Sequence, residues 1–285
     1  AAILMNVNNG EIISLVSLPD YNPNKREKID NVNFINRATK GVYELGSVFK
    51  TFTVAAGLKE KVIEPETEFL DLPKKIKCAG RPIREYDNEL PSNLNVEQIL
   101  IRSGNIGSIR IAQKVGIDKF KLFLEEIGVL NKIIFDIEEV GVPVSFNWGK
   151  CKLATASYGH GITTTILQLV NAYSIIVNGG YKISPTLIKK ENNLKLEKIL
   201  KNDVSNKINP ILRKIVTTKE GTASLANIDG YEVGGKTGTA QKSTVGGYSS
   251  NKINTFASIF PTSNPKFAFV VMLDEPKTNN EYIYN

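Results

Sequence analysis

Strand-like runs lie at the two ends of this 285-residue chain, and helical patterns fill most of what lies between. That ordering constrains the fold more than any other feature. Strands that are not each followed by a helix have little use for βαβ crossovers, so the pattern predicts an antiparallel sheet with helices on its faces. At the start, apolar runs over 3–7 and 11–18 flank Asn8-Asn9-Gly10. Asn-Gly between such runs is a strong hairpin signal, because glycine accepts a positive φ at no steric cost. At the far end, 231–234 leads into a run over 236–241. Runs over 254–260 and 266–273 follow, joined by the turn-rich Pro261-Thr-Ser-Asn-Pro265.

Between these ends, Gly46-Ser47 opens a mostly apolar helix that should be buried. Residues 67–72 form a possible short strand, and 73–91 read as loop, as do 21–28. Asn95…Gln98 and Thr165…Gln168 have the form of capping boxes. Helices are expected over 106–115, closed by Gly116, over 118–127, and from Thr165 to about 177. Asn209-Pro210 reads as the start of a further helix that Gly221 stops, with proline in the first helical position. The short helices in succession predict an inserted helical subdomain, at about residues 60–160.

The length is near the ~250–300 residues at which single cores stop growing. Apolar residues make up 41% and charged residues 23%, a globular composition. Mean hydropathy is −0.14, and no apolar run approaches the ~18 residues of a membrane span. The chain opens on AAILMNVNNG with no basic segment or cleavage site, as if inside a strand, so an excised fragment is expected. A net charge of +7 permits an anionic partner. The lysines are scattered, however, with no block of five like charges, and no nucleic-acid partner is expected. Cys78 and Cys151 form no CxxC and no metal spacing. A disulfide between them is the less favoured reading. The one histidine, His160, disfavours a multi-histidine zinc site, and no metal or cofactor is expected.

Three short segments can carry chemistry. In Ser47-Val48-Phe49-Lys50, helical spacing lets the Lys50 ammonium reach the Ser47 hydroxyl. A hydroxyl nucleophile needs a base, and a lysine of lowered pKa can serve. The spacing alone is weak: Ser249…Lys252 and Ser263…Lys266 share it in turn-like sequence, and a serine cap beside a surface lysine is the plainer explanation of any lone match. Ser103-Gly104-Asn105 sits between two predicted helices, where a short loop can aim two polar groups at one point. It is equally a common linker, as Ser145-Phe-Asn147 and Ser249-Ser-Asn251 illustrate. Lys236-Thr237-Gly238-Thr239 occurs once in the chain. Alternation puts Lys236 and Gly238 on one face of a strand and the threonines on the other, and Gly238 would let a ligand approach the backbone. The alternative is an edge strand with a glycine bulge.

Taken in this order, the three match the S-x-x-K, S-x-N and K-T-G set of penicillin-binding proteins and serine β-lactamases. The chain resembles the transpeptidase domain of a class B penicillin-binding protein along NRATKGVYELGSVFKTFTVAAGL, ILIRSGNIGS, SYGHGITTTILQLVNAYSIIVNGG, GYEVGGKTGTAQK and FVVMLDEPK. Tyr158-Gly-His160-Gly161 is more similar to the septal, cell-division branch than to the elongation branch.

The resemblance implies an α+β sandwich with an antiparallel sheet of about five strands, flanking helices and an inserted all-helical subdomain. It makes 1–285 one transpeptidase domain, truncated at both ends. Ser47 would be the acylated nucleophile, Lys50 the base, and Ser103 the hydroxyl that passes a proton to the leaving amine. Asn105 would hold the substrate amide, and Thr237 and Thr239 the terminal carboxylate. Lys236, beside Gly238, would raise the local positive potential and help depress the Lys50 pKa. Backbone N–H groups of Ser47 and Thr239 would meet the oxyanion. Implied partners are D-Ala–D-Ala stem peptides with an amine acceptor, β-lactams bound covalently, division-complex membrane proteins and a glycosyltransferase. The implied location is the bacterial inner membrane, with this domain in the periplasm. Leu45 stands where the family usually has Pro, Gly104 where the septal branch usually has Ser, and a C-terminal helix usually follows DEPK. The competing readings are a serine β-lactamase, with Glu125 or Glu126 as unmatched candidates for a deacylation base, and a non-catalytic β-lactam sensor or scaffold.

Overall fold

The computed structural model describes residues 1–22, 24–25, 34–189, 196–244 and 247–277. Strands β1 (Ala2–Asn6) and β2 (Ile12–Val16) open the chain. A 3-10 turn over Gly46–Val48 leads into α1 (Phe49–Lys59). Four short strands follow: β3 (Glu68–Phe69), β4 (Lys75–Cys78), β5 (Arg81–Arg84) and β6 (Leu94–Asn95). Helices α2 (Val96–Ile101), α3 (Asn105–Val115), α4 (Ile117–Glu126), α5 (Lys150–Ala156), α6 (Ile166–Val177) and α7 (Asn202–Thr217) come next. Strands β7 (Gly234–Thr244), β8 (Gly247–Phe260) and β9 (Phe267–Asp274) complete the order.

The two ends of the chain meet in one five-stranded sheet of order β2-β1-β9-β8-β7, antiparallel throughout. The hairpin read from Asn8-Asn9-Gly10 forms, with Gly10 at φ +84°. Alternation sends Ile3, Met5, Ile253, Ala257, Ile259, Ala268, Val270 and Met272 inward. Each large apolar side chain buried this way contributes ~1.5–3 kcal/mol. Helix α6 packs on β1, β8 and β9, and α7 on β7. Helix α1 is buried on nearly every side, in contact with α2, α3, α4 and α7. The capping boxes form as read. Asn95 accepts from the Gln98 amide at 2.8 Å, and Thr165 from that of Gln168 at 3.0 Å, with the reciprocal bond present in each.

Four expectations are corrected. Pro210 lies inside α7 rather than at its start, and the helix ends at Thr217 rather than running to Gly221. Val204, Ile208, Ile211, Leu212, Ile215 and Val216 follow one buried stripe through the proline. That burial offsets the ~3 kcal/mol a mid-helix proline costs. The stretch 73–91, read as loop, contains the β4–β5 hairpin, so the inserted region is not all-helical: β4–β5 and β3–β6 are two small sheets within it. Its turn residues Ala79 and Gly80 both have positive φ, +48° and +76°, and alanine gives no sequence signal for that geometry. Ser249 and Lys252 lie in β8 rather than in a turn. Finally, Cys78 and Cys151 are joined by a disulfide, with Cα atoms 5.5 Å apart, tying β4 to α5. The loop expected over 21–28 lies partly outside the described residues.

Candidate active site

Ser47 stands on the 3-10 turn at the mouth of α1, half-buried. The turn requires glycine at 46, whose φ is +62°. It is held from two directions. Above, a Cβ on Gly46 would lie 2.5 Å from the Thr239 carbonyl oxygen, and one on Gly238 would lie 2.3 Å from that of Leu45. The Lys236–Thr239 stretch of β7 is therefore in backbone contact with the Ser47 turn. Gly238, expected to admit a ligand, admits this turn instead. Below, Tyr173 of α6 donates from its hydroxyl to the Val48 carbonyl at 2.9 Å.

Lys50, one turn along from Ser47, is 1% exposed. Its ammonium donates to the backbone carbonyl of Ser103 and, at 3.1 Å, to the Ser103 hydroxyl. The lysine predicted to reach Ser47 thus spends its hydrogen bonds on the second motif. Burial pulls its pKa down to about 7, against the opposing pull of Glu85. Lys236 was expected to depress Lys50. The dominant cause is burial, and the repulsion between the two falls on Lys236, which burial and then the Lys50 charge hold well below the usual lysine range.

Ser103 follows α2 at φ +60°, a left-handed conformation costly for a non-glycine residue and typical of strained functional turns. Asn105 is the first residue of α3, and its side-chain amide donates to the Arg84 carbonyl at 2.9 Å. Lys236 is fully buried and donates to the Thr237 carbonyl at 3.1 Å and toward the Thr222 hydroxyl at 3.5 Å. Thr237 donates to the Thr222 hydroxyl at 2.7 Å, and Thr239 is exposed on the face of β7 opposite Lys236.

The three motifs therefore converge: the first meets the second through Lys50 and Ser103, and the third through backbone contact at Gly46 and Gly238. Glu44, Glu85 and Thr222 also enter the site, and no motif had pointed to them. His160 follows Gly159, which packs against Gly46. Its Nδ1 is buried without a hydrogen-bond partner, its ring lies 4.9 Å from Tyr158, and burial lowers its pKa. Glu44 accepts from the Gly161 amide at 2.9 Å and the Tyr248 hydroxyl at 3.1 Å, closing that side of the site. Among the described residues, no group of three or more His, Cys, Asp or Glu is placed to hold a metal. An open groove between Lys132 and Val140 shares no residue with this site.

The family profile described as "Penicillin binding protein transpeptidase domain" matches residues 1–284. The chain belongs to the penicillin-binding protein transpeptidase family. Among curated members, it is 31% identical over 288 residues to the "Probable peptidoglycan D,D-transpeptidase FtsI" of Caulobacter vibrioides, covering 97% of this chain and 49% of that protein. It is also 31% identical to the "Probable peptidoglycan D,D-transpeptidase PenA" of Neisseria flavescens, covering 99% of this chain and 70% of that one. The chain thus spans about half the length of the first relative and more of the second. The solved TP domain of penicillin-binding protein 3 from Burkholderia pseudomallei superposes with a TM-score of 0.86 at 27% identity, over 97% of this chain and 80% of that one. The antiparallel α+β fold that the sequence resemblance implied is the fold of this family. Among the described residues, no helix is long and apolar enough to cross a membrane.

Proposed function

We propose that this chain is the catalytic domain of a septal peptidoglycan D,D-transpeptidase that acts through a Ser47 acyl-enzyme. The observation that carries this reading is the fully buried Lys50, one turn from Ser47 and hydrogen-bonded to Ser103. A lysine titrating near 7 has a substantial neutral fraction at neutral pH and can accept a proton.

Ser47 Oγ attacks the carbonyl of the D-Ala–D-Ala bond while Lys50 Nζ takes its proton. The oxyanion is met by backbone N–H groups of Ser47 and Thr239, donors of a kind worth ~3–4 kcal/mol each. The C–N bond breaks, and the departing D-Ala amine takes a proton relayed from Lys50 through Ser103. This leaves an ester on Ser47. An amine from a neighbouring stem then attacks the ester and gives up its proton through the same relay, Ser47 regains its hydrogen, and a cross-link results. Asn105 holds the donor amide, and Thr237 and Thr239 hold its terminal carboxylate. Lys236 supplies positive potential behind them. β-Lactams would acylate Ser47 in the same way.

The β-lactamase reading needs a base for hydrolysis, and the two glutamates weighed for that role, both on α4, are paired with lysines. Glu126 pairs with Lys59, and Glu125 lies near Lys121 along α4, at 3.8 Å. The disulfide fits an oxidising compartment, and with it a periplasmic domain of an inner-membrane protein serving a division complex with a glycosyltransferase.

Intact-mass measurement after penicillin treatment tests the reading. Wild type should gain one penicillin mass and Ser47→Ala none, and Lys50→Ala should label ~10²–10⁴-fold more slowly. An adduct on Ser47→Ala rejects the nucleophile, and an unchanged rate in Lys50→Ala rejects the base.

A further inference from the structure

The loop after β5 carries a buried carboxylate with no part in the chemistry above. Glu85 is 8% exposed. One of its oxygens accepts from the Asn105 backbone amide at 2.6 Å and the other from that of Ile106 at 2.8 Å. These are orphan donors in the first turn of α3, whose N-terminal flank, Gly104, has no side chain to cap them. The neighbouring Arg84 carbonyl holds the Asn105 side chain. Two consecutive residues thus fix both the backbone and the amide of Asn105. The left-handed Ser103 sits immediately upstream, and such a conformation persists only where its surroundings over-determine it.

The carboxylate's own support is built in. The Glu85 amide donates to the Lys74 carbonyl at 3.1 Å, and the hairpin is tied to α5 through Cys78–Cys151. Ile83 packs in a small cluster with Ile109, Ala154 and Tyr158. Charged and titratable groups face Lys50 from three elements: Glu85 after β5, which acts on it, and Lys236 on β7 and His160 after α5, on which the Lys50 charge acts. Glu85 is the one acidic side chain of the three.

Resting on the transpeptidase reading, we propose that Glu85 is a positioning residue of acylation: its carboxylate clamps the Ser103–Asn105 turn against Lys50 and opposes the positive charge gathered there. The sign of the electrostatic effect follows. Glu85 favours the ammonium form of Lys50, so removing its charge lowers the Lys50 titration further and extends the neutral amine to lower pH.

The test is the second-order rate of penicillin acylation against pH, for wild type, Glu85→Gln and Glu85→Asp. Gln keeps the shape but loses the charge and one acceptor. The rate should fall about tenfold or more, since small misplacements of a reacting group are that costly. The acid limb of the profile should move down by ~1 pH unit. Asp keeps the charge but is a methylene short, so its rate should fall while its midpoint stays at the wild-type value. A wild-type adduct with a Gln variant matching it in rate and midpoint overturns the role of Glu85 alone. A Gln variant with lower melting temperature and rate but an unmoved midpoint does so too, because a plain helix cap gives that result. No adduct on wild type rejects the transpeptidase reading itself.

Discussion

Reducing the Cys78–Cys151 bond should loosen the wall of the site before it unfolds the chain. The two cysteines are 73 residues apart in sequence, so the bond closes a long loop. Loop-closure entropy in the unfolded chain assigns such a loop about 4.4 kcal/mol, a ceiling that native strain or residual structure lowers. With ~2.1 cal/mol/K of unfolding entropy per residue over 285 residues, one degree of melting temperature corresponds to about 0.6 kcal/mol. The expected drop on reduction is therefore up to ~7 °C. The bond also anchors the β4–β5 hairpin to α5, and with it the Arg84-Glu85 pair that holds Asn105. Acylation by penicillin should therefore slow at temperatures where the reduced protein is still folded. The assay is calorimetry with and without a phosphine reductant, alongside Cys78→Ala/Cys151→Ala and a thiol titration of each sample. Native protein should show no thiol, as both cysteines are in the bond. Titratable thiols in oxidised protein, or a melting temperature that moves by less than ~1 °C on reduction, would refute the reasoning.

Two further outcomes follow from the geometry. The Lys50 pKa is lowered from 10.5 to about 7, so below about 7 both folded and unfolded chains carry its proton and the folded state bears the cost of the buried ammonium. From there up to 10.5 the unfolded chain binds the extra proton, so stability rises with pH, by at most ~1.4 kcal/mol per unit. Lys50→Met should raise the melting temperature at about pH 6, flatten its rise toward about pH 9 and slow labelling as much as Lys50→Ala does. A wild-type melting temperature that falls over that range contradicts this. In Gly238→Ala, the new methyl would meet the Leu45 carbonyl at 2.3 Å. It should destabilise by ~1–3 kcal/mol and slow acylation by more than that loss alone explains, as measured by chemical denaturation and labelling rate. Full activity would show that β7 does not set the Ser47 turn.

Local chemistry was legible where it repeats a short-range rule. Asn8-Asn9-Gly10 forces its hairpin, and Asn95 and Thr165 cap their helices by bonds within four residues. What stayed hidden depends on contacts remote in sequence. Nothing between residues 78 and 151 shows that their cysteines meet. The start of α7 was misread because Pro210 outweighed a stripe of buried residues that begins before it. The hairpin at Ala79-Gly80 was missed because alanine is rarely asked to take a positive φ. At the site, the motifs pointed to the residues proposed to react and not to those that hold them. A nucleophile and its base fall in a recognisable spacing, whereas Glu85 acts on a helix 20 residues away and carries no pattern of its own.

The site sits at the seam between the sheet and the helical insertion, and this explains why two lysines are buried there. Neither ammonium would be placed in a core selected for stability alone, because each loses its hydration and the two repel. Polar groups offset part of that cost: the Ser103 carbonyl and hydroxyl on one lysine, the Thr237 carbonyl and Thr222 hydroxyl on the other. The Ser103 contacts exist only when the turn after α2 is docked on α1, and the Thr222 contact only when the segment after α7 is docked on β7. A partly opened seam would return both lysines to water and to their ordinary pKa values. Lys50 would then be protonated at neutral pH and useless as a base. In this geometry the dryness of the seam, rather than any single contact, lowers the Lys50 pKa, and on the proposed mechanism loss of activity should precede loss of fold when the seam is loosened.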